Sequence, residues 1–249
     1  MNEHIDVSRQ GAVQIIRINR PDKKNALTRA MYRRMVEALR GGDADPEIRC
    51  HVFLGVPGAF SAGNDLNDFM TIATGGDGGT EVWDFLMALA TAEKPMISGA
   101  DGIAVGIGTT LHLHCDLTFA TTRTMFHTPF TDLGLVPEAG SSFLAPALLG
   151  RQQAFALLAM GEPFPAQKAA ELGMIYRVVD EHDLEKEVLS AAERVAAKPP
   201  QALKIARDLM RAPRDPLIAR VKEEGAHFLQ RLNSDEARAA LLAFLSRKK

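Results

Sequence analysis

Two stretches of small residues set the strongest limits on how this chain can fold: Ala59-Phe60-Ser61-Ala62-Gly63-Asn64-Asp65-Leu66 and Gly102-Ile103-Ala104-Val105-Gly106-Ile107-Gly108. Each reads as a strand that ends in small residues and runs into a helix, which leaves backbone N–H groups without an intrahelical partner at the helix start. Two such donors converging on one oxygen make an oxyanion hole. Gly106 and Gly108 would let a ligand come close to the backbone, and the same glycines also suit tight turns that bind nothing.

The elements around these stretches repeat one theme. Val13–Ile18 has the β-branched, partly alternating character of a strand, and Asn19–Asn25 is dense in turn residues. From Thr28, the apolar positions Met31, Met35, Val36 and Leu39 recur at helical spacing, and Gly41-Gly42 is expected to stop the helix. A strand over Arg49–Gly55 leads into the first glycine turn. The glycine-rich segment Thr71–Thr80 reads as a loop feeding a helix that carries Val82, Phe85, Leu86 and Leu89. A strand over Lys94–Ala100 then precedes the second glycine turn, an apolar helix through Leu111 and Leu113 follows, and Asp116–Ala120 is a further strand. The order strand, glycine turn, helix, strand lacks both the Gly-x-Gly-x-x-Gly fingerprint and the regular period of roughly 30 residues that mark a dinucleotide fold. A spiral of such units is the expected architecture.

Beyond Pro137 the pattern turns mostly helical. Helices are expected over Ser141–Leu149, Arg151–Met160, Ala166–Leu172, Leu184–Ala197 and Gln201–Arg211, with a strand over Met174–Val179 and helical periodicity from Pro216 to Leu245. Lys198-Pro199-Pro200 marks an expected boundary between a core, 1–198, and a helical region, 199–249. A helix pair appended at that point has little core of its own and is expected to pack against other subunits.

Composition narrows the class of partner. The chain has 249 residues, 46% of them hydrophobic and 24% charged, with a net charge of -2 spread over both signs. No field favours nucleic acid or an anionic membrane. Cys50 and Cys115 sit in apolar or small-residue settings, which points to reduced thiols in a cytoplasmic protein rather than a disulfide scaffold or a zinc site. Met1–Gly11 lacks the apolar core of a signal peptide, and Ser246-Arg247-Lys248-Lys249 is not a peroxisomal ending. His112 and His114 lie two apart, which is not metal-site spacing on a helix, and no metal site is expected.

Four segments together resemble the crotonase superfamily, the enoyl-CoA hydratase and isomerase group. They are Asn19-Arg20-Pro21-Asp22-Lys23-Lys24-Asn25-Ala26-Leu27, Phe60–Leu66, Asp101–Gly108 and Pro163-Phe164-Pro165-Ala166-Gln167-Lys168-Ala169-Ala170. The resemblance covers nearly the whole chain. It implies an α/β fold, a spiral of ββα units with a helical C-terminal trimerisation region, assembled as a homotrimer or a dimer of trimers. It also implies an acyl-CoA thioester substrate and no separate cofactor, coenzyme A being part of the substrate. The backbone N–H groups of Asn64 and Ile107 would hold the thioester oxygen. Lys24, Ala26, Leu27, Ser61, Ala62, Asp65, Leu66 and Gly106 would line the substrate and its CoA moiety.

The reaction turns on which acids and bases remain. In the hydratase branch two glutamates manage water; Thr110 and Phe130 stand at the corresponding positions here, and neither can act as a carboxylate base. Gly134-Leu135-Val136-Pro137-Glu138-Ala139-Gly140 resembles instead the Δ3,Δ2-enoyl-CoA isomerase branch, in which a glutamate of this motif shuttles a proton. One base suffices for isomerisation, since no water is added. A second reading of Glu138 is purely structural, a carboxylate placed to complement a helix dipole. Asp65 likewise reads either as a substrate neighbour or as a helix cap. His127, Trp83, Phe85 and Met87 could border the substrate, or could simply be packed.

Overall fold

The computed structural model describes residues 4–65, 68, 79–211 and 213–246. Leu66 and residues 71–78 of the expected loop lie outside the described residues.

Among the described residues ten strands form two sheets: β1 (Ile5–Gln10), β2 (Val13–Ile18), β3 (Cys50–Leu54), β4 (Ala59–Ser61), β5 (Met96–Ala100), β6 (Ile103–Val105), β7 (Leu117–Thr121), β8 (Met125–His127), β9 (Phe164–Pro165) and β10 (Arg177–Val179). One sheet runs β1-β2-β3-β5-β7-β10 and the other β4-β6-β8-β9. β1 is antiparallel to β2 and β9 to β8, while the remaining pairs are parallel. Successive strands β3/β4, β5/β6 and β7/β8 each put one member in the large sheet and the next in the small one. A helix or turn then returns the chain to the start of the next pair, and this is the ββα spiral.

The helices are α1 (Arg29–Ala44), α2 (Glu81–Thr91), α3 (Ile107–Thr110), α4 (Ser141–Leu149), α5 (Arg151–Leu158), α6 (Ala166–Glu171), α7 (Leu184–Ala196), α8 (Pro200–Met210), α9 (Arg214–Leu232) and α10 (Asp235–Ser246). Strands β3 and β5 are buried along their whole length, as expected of parallel strands covered on both faces. Val52, Leu54, Ile97 and Phe119 meet Leu184, Val188, Ala191 and Ala192 of α7 on one side, and the main core lies on the other. Among the described residues no helix is long and apolar enough to cross a membrane.

Several sequence expectations need correction. Helix α1 does not stop at Gly41-Gly42 but runs through both to Ala44. A Cβ on Gly42 would lie 2.5 Å from Gln14 Oε1 and 2.6 Å from His51 Cε1, so this glycine permits close packing rather than ending the helix. The helix after the second glycine turn is a single α-turn, α3, followed by a 3-10 turn over Leu111–His114, and every residue of both is buried. The strand expected from Met174 begins only at Arg177, because Met174 and Ile175 donate their N–H groups to Ala169 and close the end of α6. Strand β1 is an addition to the expected elements, and its apolar residues are sparse.

The last three helices are not alike. In α8 only Arg207 is buried; its guanidinium reaches Asp116 at 2.9 Å and the carbonyls of Ala92 and Glu93 at 3.1 and 2.9 Å. Ile205, Leu209 and Met210 of the same helix are 61%, 81% and 81% exposed. Helices α9 and α10, by contrast, send Leu217, Val221, Leu232, Ala237 and Leu241 into the main core of their own chain. They therefore have more core of their own than an appended pair would.

Two glycines give opposite mutational expectations. Gly102 has φ +71°, and a Cβ there would lie 2.0 Å from Gly58 O, so Gly102→Ala should destabilise by at least about 1–2 kcal/mol in urea unfolding. Gly41 lies in α1 with open space around it, and Gly41→Ala should stabilise by about 0.5–1 kcal/mol.

Candidate functional site

The site is assembled by strand pairing. β4 and β6 are parallel neighbours, so the two glycine turns that leave them sit side by side. The fit admits no side chain: a Cβ on Gly63 would lie 2.9 Å from Val105 O, and one on Gly108 would lie 2.7 Å from Ser61 O. Gly106 has φ 56° and ψ -121°, and its N–H donates to His127 O at 2.8 Å.

The segment from Lys24 to Leu27 is stitched onto the first turn. Ala62 N donates to Lys24 O, Leu27 N to Gly63 O and Asp65 N to Leu27 O, at 2.9, 2.8 and 2.9 Å. Leu27 and Asn64 thus form a parallel bridge, in which the N–H and C=O of Asn64 face away from Leu27. Among the described residues, neither the Asn64 N–H nor the Ile107 N–H donates a hydrogen bond. Ser61 is buried, donates to Asn25 O at 2.9 Å and accepts the Gly63 N–H at 3.1 Å. The carboxylate of Asp65 receives Arg20 Nη1 at 2.6 Å, and Arg20 also donates to Ala26 O at 2.9 Å. The ion pair gives Asp65 a partner beyond the capping role considered for it.

Glu138 lies on the next layer of the spiral and is buried, 5% exposed. Thr110 Oγ1, from α3, donates to its Oε1 at 2.5 Å. Thr110, at the position where the resemblance implies a hydratase glutamate, is thus the hydrogen-bond partner of Glu138. Burial pushes the Glu138 carboxyl up to about 8; the Thr110 hydrogen bond opposes that shift and the nearby Glu224 carboxylate adds to it. Among the described residues the Glu138 side chain accepts no backbone N–H at the start of α4. That position is filled by Glu224 of α9, which accepts the N–H groups of Gly140 and Ser142 at 2.6 and 2.9 Å.

Tyr32 joins the two halves. Its hydroxyl donates to Asn64 Oδ1 at 2.5 Å, and the ring is fully buried against Phe85. Burial, with the Glu138 and Asp68 carboxylates, holds the phenol well above its ordinary range, so it remains a neutral donor. Phe130 is a core residue, while Trp83 packs edge-on against Gly225 of α9. His112 and His114 are buried, their pKa values lowered to about 3 and about 4 chiefly by burial, and His114 Nε2 donates to Ala139 O at 2.6 Å. Among the described residues no group of three or more His, Cys, Asp or Glu side chains is placed to hold a metal ion.

Sequence reasoning missed Asn25, Tyr32 and Glu224. Asn25 is buried in the left-handed region, φ 57°, and its amide ties Ile18 O, Ala59 O and Phe60 O at 3.0, 2.9 and 3.1 Å. An asparagine in a turn was a usable signal for such a role. Tyr32, a polar tip within an apolar helix stripe, was a weaker one, and Glu224 carries no local signal.

Comparison with known proteins bears on this geometry. Residues 8–249 match the family described as enoyl-CoA hydratase/isomerase. Enoyl-CoA delta isomerase 2 of Rattus norvegicus is 34% identical over 97% of the chain, which spans 63% of that relative's length. A 1,2-epoxyphenylacetyl-CoA isomerase of Escherichia coli (strain K12) is 35% identical over 75% of the chain and 74% of its own length. The crystal structure of an enoyl-CoA hydratase/isomerase from Pseudoalteromonas atlantica T6c superposes with a TM-score of 0.93 at 35% identity, covering 98% of this chain and 97% of that one.

The raised Glu138 pKa has a consequence for stability. Between the ordinary carboxylate value of 4.5 and about 8 the folded protein holds a proton that the unfolded chain has lost, so stability falls as pH rises through that window. Glu138→Gln removes this liability, which amounts to about 1.4 kcal/mol for every tenfold difference in proton affinity between the folded and unfolded chain. The variant should be more stable than the parent at pH 8, and the difference should shrink towards pH 4.5, as read by thermal melts across that range.

Proposed function

The chain belongs to the enoyl-CoA hydratase/isomerase (crotonase) family, and we propose that it moves the double bond of a 3-enoyl-CoA to the 2-position with Glu138 as the single proton shuttle. The observation that carries this reading is a buried carboxylate, raised to about 8 and bonded to Thr110, on the layer next to two backbone N–H groups that have no partner among the described residues. The thioester oxygen would accept from Asn64 N–H and Ile107 N–H. Glu138 would take a proton from C2, the electron pair would spread over the dienolate to that oxygen, and the same carboxyl would return the proton to C4. Fixed donors stabilise the oxygen more as its charge grows, and so lower the barrier rather than merely binding the substrate.

A pKa above the usual carboxylate range also suits the task. A stronger base narrows the gap to the weakly acidic C2–H, and the protonated acid can still give the proton back. Tyr32, holding the Asn64 side chain, would fix the first donor, and Lys24, Ala26, Leu27, Ser61, Ala62, Asp65 and Gly106 would line the CoA end. The region 199–249 would carry the oligomer, supported by the exposed apolar face of α8 at Ile205, Leu209 and Met210.

The test is a direct comparison of 3-enoyl-, 2-enoyl- and ring-epoxide CoA thioesters. Glu138→Gln should lower 3-enoyl to 2-enoyl conversion by about 10²–10⁴-fold. Near-normal turnover by that variant would remove Glu138 from the mechanism, and preferential turnover of the 2-enoyl or epoxide substrate would replace isomerisation of the double bond. Binding without deuterium exchange at C2 in heavy water would mark a pocket without chemistry. In the wild type, kcat/KM should rise with pH, with a midpoint near the value of about 8 held by free Glu138, because only the ionised carboxylate accepts a proton. Sedimentation should find three or six chains, and Leu209→Lys with Met210→Lys should yield smaller species.

A further inference from the structure

The turn that carries Glu138 is held in an unusual conformation. Ala139 and Gly140 both lie in the left-handed region, with φ 61° and 69°. For an alanine that conformation is costly, and it persists only where the surroundings over-determine it. The surroundings here come from far along the chain. Leu217, Val221 and Glu224 follow at four- and three-residue spacing on one face of α9, so all three meet the turn together. A Cβ on Gly140 would lie 2.5 Å from Leu217 Cδ1 and 3.2 Å from Val221 Cγ2. Glu224 Oε2 takes the Gly140 N–H at 2.6 Å and Oε1 takes the Ser142 N–H at 2.9 Å.

We propose that Glu224 is a positioning residue for Glu138, clamping the left-handed turn from the C-terminal helix so that the Glu138 carboxyl is fixed against Thr110 and faces the reacting carbons. This inference rests on Glu138 being the proton shuttle. A second effect accompanies the clamp. Burial pushes the Glu224 carboxyl above its ordinary value, while the bonds to Ser142 and Gly140, with Arg220, pull it back towards the ionised form. Both of its oxygens act as acceptors, and a negative charge so placed keeps the proton affinity of Glu138 high.

Among the described residues the other charged or titratable groups facing this pair are few. From α9 itself, Arg220 donates to Ser142 Oγ at 3.1 Å and pairs with Glu223 at 2.9 Å. From the layer beneath, His114 donates to Ala139 O and is kept neutral by burial, while Arg211 donates to His114 O. From α1, Tyr32 feels both Glu138 and Asp68. Of these groups, Glu224 alone both touches the turn and contributes an unfavourable charge to ionisation of Glu138.

Two substitutions separate clamp from charge. Glu224→Asp keeps the charge but shortens the reach by one methylene, so kcat for the 3-enoyl thioester should fall by about 10–100-fold, with KM little changed and the acid limb of the pH profile in place. Glu224→Gln removes the charge and offers one N–H group an amide NH2 in place of an acceptor. Its kcat should fall similarly, and its acid limb should move to lower pH. Turnover and pH limbs within about twofold of wild type in both variants, even with lowered melting temperatures, would overturn the proposal and leave Glu224 a purely structural residue.

If one variant does not fold, the other decides, since each predicts its own pattern. Wild type and Glu138→Gln run alongside show whether the parent reading holds. If wild type does not isomerise the substrate, that reading fails. The charge effect is then judged by 13C NMR titration of Glu138, which needs no turnover: an unchanged midpoint in Glu224→Gln overturns it.

Discussion

The arrangement that everything else depends on is the parallel contact between β4 and β6, made without side chains. Gly63 lies against the carbonyl of Val105 and Gly108 against the carbonyl of Ser61, at separations that leave no space for a Cβ. Backbone packed so closely must find partners for its polar groups, and most are found within the layer. Asn25 satisfies three carbonyls, Ser61 bridges Asn25 and Gly63, and Leu27 zips onto Gly63 and Asp65. What is left over after this pairing is a pair of backbone donors. The Asn64 and Ile107 N–H groups have no partner among the described residues, and an oxygen entering between the turns would restore the balance.

The buried Glu138 carboxyl works against stability. A carboxyl buried beside Thr110, with a second carboxylate on the neighbouring helix, is held where ionisation is unfavourable. Active sites commonly carry such tension, because the environment that destabilises the charged form is the one that strengthens the base. The Thr110 hydrogen bond limits the cost without abolishing it, and the other polar groups nearby mainly hold the backbone and side chains in place. Tyr32 stays neutral and ties down Asn64, His114 stays neutral and ties down Ala139 O, and Arg220 lies one turn from Glu224 on the same helix.

How much of this could be read beforehand follows the range of the interactions. The glycine turns and the strand–turn–helix rhythm are local facts, visible in a few consecutive residues, whereas reading Thr110 and Phe130 against hydratase glutamates rests on the family resemblance. Helix α1 was legible from its apolar spacing, but not its continuation through Gly41-Gly42, nor the close approach of the Gln14 and His51 side chains that leaves no room for a Cβ at Gly42. The same limit hid the pairing of Thr110 with Glu138, 28 residues apart, and that of Glu224 with Gly140, 84 apart. Glu138 looked equally suited to cap a helix. The structure places Glu224, from far along the chain, at that helix start.

The position of Glu224 also bears on the order in which the protein becomes competent. A chain grows from its amino terminus, and its early elements can pack before the late ones exist. Both glycine turns, Thr110 and Glu138 precede α9, and the strands that align them are complete without it. Until α9 is made, the left-handed turn at Ala139–Gly140 has neither the Glu224 oxygens nor Leu217 and Val221 behind it. On the clamp proposed above, a nascent chain would hold both unpartnered N–H groups before Glu138 is fixed against Thr110. The turn that carries Glu138 would then be fixed as a late step of biosynthesis, once the helix that completes the core is in place.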